Sequence, residues 1–172
     1  MYLQDLSRRC ARDGLTSSPT VRGLVALACM VLMLGVVSLR APKAQPTCTP
    51  TRPDGLGPFY QANAPERDRT GQGLVISGTV RSARDCASLN KARLEWWSAN
   101  SRGDYDDAHR ATQQGDATGR FQYETDVPGG YPGRPPHVHV RVTAPGHRPL
   151  VTQLYPQSAQ TTLATDFVLI PE

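Results

Sequence analysis

The chemistry in this chain gathers around His137-Val138-His139. Residues two apart on an extended strand share a face, with Cα atoms about 6.6 Å apart, so both imidazoles can reach one metal ion. A solvated strand face can carry two histidines without any function, and the pair alone leaves both readings open. The preceding segment, Gly129-Gly130-Tyr131-Pro132-Gly133-Arg134-Pro135-Pro136, adds to the metal reading. Its glycines and prolines hold a loop by sterics and bring Tyr131 and Arg134 beside the start of the strand. No cysteine stands near, and the acidic residues lie elsewhere. That disfavours a structural zinc site and an iron site of two histidines and one carboxylate.

The elements that must position these groups read as β-structure. After position 45 the chain contains 13 Pro and 12 Gly, which interrupt helices almost everywhere and suit a loop-rich, all-β domain. Strands are predicted over residues 74–80, 92–97, 120–125, 137–143, 150–154 and 162–170, the pattern of an antiparallel sandwich or barrel. In the fourth of these Val138, Val140 and Val142 share one face, leaving His137, His139 and Arg141 on the other. Trp96 and Trp97 point to opposite faces, one to the core and one to a pocket or interface wall. His109 and His147 read as loop residues, and the stretches between Tyr105 and Asp116 and between Tyr131 and Arg134 as short loops that leave the mouth of the site open.

Charge and hydropathy divide the chain. Residues 1–45 hold 6 basic and 2 acidic groups, and the remainder holds 13 of each, so the part able to fold is neutral and has no basic stripe for nucleic acid. The organisation predicted is a basic segment over 1–22, a transmembrane anchor or signal segment over 23–39, a Pro-rich linker over 40–53 and a catalytic domain over 54–172. The run 23–39 has 17 residues without a charge and as a helix would span roughly 26 Å, just enough to cross a bilayer. Arg8, Arg9, Arg12 and Arg22 stand upstream, which places the N-terminus in the cytoplasm and the domain outside it, either membrane-anchored or secreted after cleavage of the segment. Cys48 and Cys86 are then the only cysteines in the exported part. An even pair in an oxidising compartment suggests a disulfide. Closing a loop of roughly 38 residues would stabilise the fold by about 3 to 4 kcal/mol on the chain-entropy argument.

Taken together, the motifs resemble the intradiol ring-cleavage dioxygenases, the family of catechol and protocatechuate dioxygenases. Gly57-Pro58-Phe59-Tyr60 is similar to an N-terminal motif of that family, here begun by Thr51, and residues 74–80 (LVISGTV) to its first core strand. Residues 92–100 (ARLEWWSAN) followed by Gly103-Asp104-Tyr105 resemble the strand and turn that deliver a first tyrosine. Asp116 to Gly119-Arg120-Phe121, then Tyr131 with Arg134-Pro135-Pro136-His137-Val138-His139, then Ala144-Pro145-Gly146-His147 and residues 150–155 (LVTQLY), complete the pattern in order.

The resemblance implies an all-β core, an antiparallel sandwich of the intradiol dioxygenase type, preceded here by one N-terminal hydrophobic helix. It implies a non-haem Fe(III) held by Tyr105, Tyr131, His137 and His139, with Tyr131 and His137 axial. Two phenolates and a hydroxide would offset the ferric charge. A catechol-type substrate would bind as its dianion, giving protons to the hydroxide and to Tyr131, and react with O2 to yield a muconate-type diacid. Arg134 would stabilise charge developing on the ring, and Gln153 would hydrogen-bond nearby. The family's long helical dimerisation segment is replaced by the apolar run and linker, so its dimer does not carry over and a homo-oligomer is left open. The rival reading is a metal-free, transthyretin-like β-sandwich serving as a binding module.

Overall fold

The computed structural model describes residues 47–172. Among them the chain forms eight strands and no α-helix: β1 (Gly73–Ser82), β2 (Arg93–Ala99), β3 (Tyr105–Gln114), β4 (Arg120–Asp126), β5 (Val138–Thr143), β6 (Leu150–Leu154), β7 (Thr162–Ala164) and β8 (Phe167–Leu169). One sheet runs β4-β1-β7 with β8 also on β1, and the other β3-β2-β5-β6. Pairings are antiparallel except that β7 and β8 run parallel to β1. The all-β expectation therefore holds, while the helix expected over 23–39 and its basic flank lie outside the described residues.

Alternation along the strands decides which side chains meet between the sheets. Leu74, Ile76 and Val80 of β1 face Leu94 and Trp96 of β2 and Val138, Val140 and Val142 of β5, all buried in one apolar cluster. The indole of Trp96 lies flat on Tyr123 of β4, with centroids 4.6 Å apart and planes at 6°, so one aromatic pair joins the two sheets. Truncating a buried aromatic of this kind costs about 3 to 5 kcal/mol. The other parity points away from the core, and that outer face of the β3-β2-β5-β6 sheet carries Trp97, His139 and Gln153.

β3 corrects the loop expected between Tyr105 and Asp116. Its sequence, YDDAHRATQQ, lacks apolar alternation because its buried middle is satisfied by polar partners. His109, read as a loop residue, is buried on β3 and bridges two carboxylates: Nδ1 lies 2.7 Å from Asp106 Oδ1 and Nε2 3.0 Å from Asp126 Oδ2 at the end of β4. Arg110, also buried, donates to the main-chain carbonyl of Phe59. The single strand expected over 162–170 is likewise broken into β7 and β8, where the exposed Asp166 accepts from Thr79 N and Arg81 Nε of β1.

Two flanking segments seal the sheets. Residues 65–70 stitch the open edges of β3 and β4, with Arg67 N on Thr112 O at 3.0 Å and Thr70 N on Glu124 O at 2.8 Å. Residues 48–54, all but the last within the stretch read as linker, lie along the domain: Thr51 N reaches Val168 O and Asp54 N reaches Val151 O. Cys48 is bonded to Cys86 with an S–S length of 2.02 Å.

Burial works against protonating His109, but hydrogen bonds to Asp106 and Asp126 outweigh it and raise its pKa. A raised folded-state pKa means the stabilisation is complete below the unfolded value of about 6.5 and is lost as pH rises through the folded value. His109→Gln is therefore expected to lower stability by about 1 kcal/mol at pH 5.5, both carboxylates being partly exposed, and by less at pH 9. Denaturant melts of both proteins at the two pH values check this; a gap that widens towards pH 9 contradicts it.

Candidate metal centre

The ladder register sets out the site. Across the outer face, Trp97 of β2 stands opposite Arg110 of β3 and His139 of β5, and His139 stands opposite Gln153 of β6. One transverse row thus reads Arg110, Trp97, His139, Gln153. In the next row Glu95 faces Arg141 and pairs with it at 2.5 Å. Tyr105 joins this face through an irregularity: from Trp97 to Ala99 is two residues on β2, but their partners Arg110 and Tyr105 are five apart on β3. An odd separation would place Tyr105 and Arg110 on opposite faces, and the bulge brings them to the same one.

The segment after Pro53 crosses this row. Gly55 O accepts from Gln153 Nε2 at 2.7 Å, and Gly57, at φ 72°, packs so closely that an added Cβ would lie 3.1 Å from His139 Cε1. Phe59 stacks on Tyr105 at 4.1 Å and 16°. Tyr60 sets its ring edge-on to Trp97 at 5.1 Å and donates to Glu95 Oε1 at 3.1 Å.

Two loops deliver the tyrosines, and Asn100 ties them together. Its Oδ1 accepts from the main chain of Arg102 and Asp104, and its Nδ2 donates to Asp106 Oδ2. Its carbonyl accepts from Gly103 N and from Gly129 N, the latter 2.8 Å away on the Tyr131 loop. A Cβ on Gly129 would sit 2.5 Å from Ser101 O, so the backbones meet where only glycine fits. Beyond it, Tyr131-Pro132-Gly133-Arg134 closes a turn through Arg134 N on Tyr131 O at 2.9 Å. Proline second and glycine third, at φ 83°, is the type II pattern.

These devices bring Tyr105, Tyr131, His137 and His139 together. His137 Nε2 lies 3.1 Å from His139 Nε2 and 3.2 Å from the Tyr105 hydroxyl. The Tyr131 ring stands 6.2 Å from that of Tyr105 and 5.7 Å from that of His137. His137 Nδ1 is 2.7 Å from Pro135 O; a carbonyl only accepts, so Nδ1 carries the proton and, in the neutral ring, Nε2 turns a lone pair inward. His139 Nδ1 is buried without any partner. Burial, then the charges of His137 and Arg134, pulls the His139 pKa down to about 4. Burial and the facing Tyr131 phenol hold Tyr105 well above the usual tyrosine range. Lone pairs of four electron-rich groups thus converge, an arrangement that suits a metal ion. No cluster of three or more His, Cys, Asp or Glu accompanies them among the described residues, so the donor set is phenol and imidazole.

Arg134 and Gln153 stand beside this cluster. Arg134 Nη2 donates to Gln153 Oε1, and the Tyr155 hydroxyl contacts Gln153 Oε1 and Asp54 Oδ2, both at 3.0 Å. A cavity of about 320 Å³ opens next to the tyrosines, lined by Phe59, Gly103, Asp104, Tyr105 and Tyr131. A larger hollow of about 630 Å³ lies between β1, β3 and β4 and has no convergent donors.

Comparison with known proteins agrees with this arrangement. The dioxygenase family model matches residues 57–169, which covers every donor just described.

The chain belongs to the intradiol ring-cleavage dioxygenases.

Among its relatives, the catechol 1,2-dioxygenase of Acinetobacter baylyi is 30% identical over 136 residues, covering 57% of this chain and 43% of that protein. The dioxygenase domain of a dioxygenase carbohydrate-binding protein fusion from Streptomyces sp. SirexAA-E is 32% identical with a TM-score of 0.65, covering 72% of this chain and 100% of that one. Hydroxyquinol 1,2-dioxygenase from Pseudomonas putida DLL-E4 shares the fold, with a TM-score of 0.63 at 19% identity over 76% of this chain and 69% of that one. The chain spans about half the length of the curated relatives it matches. The metal-free binding module gains no support from any of these.

Asn100 and Gly57 escaped a functional reading of the sequence, and Trp97 was legible only as one of two tryptophans, one for the core and one for a pocket or interface wall. Trp97 carried a signal in its parity, opposite to Trp96, whereas the bonds of Asn100 to a second loop leave no trace in spacing.

The lowered pKa of His139 has a measurable sign. Stability from its neutral state is complete above the unfolded value of about 6.5 and is lost as pH falls through the folded value. In metal-free protein its imidazole resonance should stay that of the neutral ring at pH 5.5 and move only near pH 4. An NMR midpoint at or above 6 would contradict the burial described.

Proposed function

We propose that this chain cleaves catechol-type aromatics in the intradiol manner, using a ferric ion and O2 and releasing a muconate-type diacid. The observation that carries the reading is the convergence of Tyr105 OH, His137 Nε2 and His139 Nε2 within 3.1 to 3.2 Å contacts beside Tyr131. Phenolate oxygens are hard anionic donors that favour Fe(III), and two of them with a hydroxide balance its charge. When bound, the ion would supply the Lewis acidity and redox capacity that let a catecholate react with O2.

The protein's own groups then have separate tasks. His137 and His139 offer neutral nitrogen lone pairs, the first oriented by Pro135 O and the second kept unprotonated by burial. Tyr131, on a turn outside the sheet, takes a proton from a substrate hydroxyl at its phenolate oxygen. Arg134 holds a fixed cation where negative charge grows on the ring, and Gln153 Oε1 aims that guanidinium. The cavity beside Tyr105 and Tyr131 admits the aromatic ring. We also place the domain outside the cytoplasm, anchored or released, a reading that the Cys48–Cys86 bond supports. Its oligomeric state is left open.

Purified, iron-loaded protein should be wine-red from tyrosinate-to-Fe(III) charge transfer and hold one iron per chain. Resonance Raman without tyrosinate vibrations would sink the metal assignment, whatever the iron content.

Arg134→Ala should keep iron and colour while losing on the order of 100-fold in turnover, with substrate affinity falling less. Oxygen uptake on catechol, hydroxyquinol and protocatechuate measures it. Wild-type rates on all three would remove Arg134 from catalysis, and loss of iron would make it a structural residue of the turn.

A further inference from the structure

The two histidines are held in unlike ways. The torsion that spins an imidazole about its Cβ–Cγ bond is soft, with two broad wells rather than three sharp ones. A ligand histidine therefore usually donates its second ring nitrogen to a fixed acceptor, which stops the ring from turning. His137 follows this pattern through Pro135 O. His139 does not: its Nδ1 is buried without a well-formed hydrogen bond, and the Gly55 carbonyl near the ring is already taken by Gln153 Nε2, so little resists a swing of Nε2 away from the other donors.

What His139 has instead is a slot. Trp97 stands directly opposite it on the β2–β5 ladder and lays its indole parallel to the imidazole, with centroids 4.8 Å apart and planes at 10°. From another side Gly57 approaches so closely that a Cβ there would touch Cε1 at 3.1 Å and Nε2 at 3.6 Å. Trp97 is only 2% exposed, yet its own Nε1 finds no acceptor. Burying an unpaired indole N–H is unfavourable, and a phenyl ring would avoid that cost. The N–H is therefore not what this position uses; the ring face is. Tyr60, edge-on to the indole and bonded to Glu95, backs Trp97 in turn.

Resting on the ferric reading above, we infer that Trp97 is a positioning residue for His139, its ring face doing what the missing hydrogen bond would do. Trp97 does not line the cavity beside the tyrosines; it acts through the angle of the imidazole. The hydrogen bond of His137 tolerates changes in neighbouring side chains, because its acceptor is main chain. The orientation of His139 depends on a flat surface on β2.

The test compares Trp97→Phe, which keeps a flat face, with Trp97→Leu, which keeps an apolar side chain without one. Both are made in the full protein, and melting of the metal-free forms is followed alongside. Trp97→Phe should release iron to a chelator within about 3-fold of the wild-type rate and keep the tyrosinate band. Trp97→Leu should release it roughly 10- to 100-fold faster, the usual scale for losing support of a metal ligand, with the band shifted. Leu and Phe variants that lose iron equally, in step with melting temperature, would show a volume effect and overturn the inference. So would a Leu variant with wild-type release and spectrum. If Trp97→Leu does not fold, Gly57→Ala presses the imidazole from another side, and an unchanged band in that variant refutes the slot. A wild-type protein that binds no iron would defeat the proposed function; the positioning is then decided in metal-free protein by the His139 Cε1–H resonance. Ring current from the indole should shift it upfield in wild type, and Trp97→Leu should abolish the shift. An unshifted wild-type resonance would end the inference independently of iron.

Discussion

The strand register of the β3-β2-β5-β6 sheet is the constraint on which the site depends. Paired residues on neighbouring strands share a face, as do those two positions away, and a one-residue slip sends every one of a strand's side chains to the other side. The observed pairing places Arg110, Trp97, His139 and Gln153 in one row. The same register drives Val138, Val140 and Val142 into the core. Burial of those valines on one face therefore fixes the chemistry on the other, and the apolar interior is what aligns a polar cluster it never touches. The Glu95–Arg141 pair in the adjoining row reinforces this register from the outer side.

Two kinds of support surround the row. Where a group must be rigid, the protein uses flat surfaces and close backbone approach: Phe59 on Tyr105, Trp97 on His139, Gly57 under the same imidazole. Tyr131 lies on a turn outside the sheet, and no flat ring covers it in parallel; its neighbours meet it tilted or edge-on. The tyrosine proposed to take a proton from substrate is thus the one with least lateral confinement. The Asn100 hub is compatible with this, since it fixes the bases of both loops through main-chain contacts and makes none to the Tyr131 side chain.

Much of this was legible in the sequence where burial follows a simple period. Strand β5 alternates without exception, and the Tyr-Pro-Gly-Arg turn declares itself by residue type. β3 was not legible, because Asp106, Asp107, His109 and Arg110 look like a solvated loop until Asp126 of β4 and the carbonyl of Phe59 are placed beside them. A buried polar strand carries its evidence in pairings distant along the chain, which periodicity does not report. Asp166 hid the break between β7 and β8 for the same reason, its partners lying on β1. Asn100 reads as an ordinary turn residue, and only the proximity of Gly129 gives its carbonyl a second task.

The segment from Cys48 to Tyr60 forms a wall of the cluster yet belongs to no strand, and apart from its hydrogen bonds it is fastened by the covalent link to Cys86. On the ferric reading proposed above, that would give maturation an order. An oxidised chain would have the wall tethered before any ion arrives, so metal would meet a prepared cradle. A reduced chain would have to organise the wall and capture the ion in one event, its apparent hold on metal weakened by the entropy of ordering that segment. Thiol oxidation would thereby become a timing step for cofactor insertion.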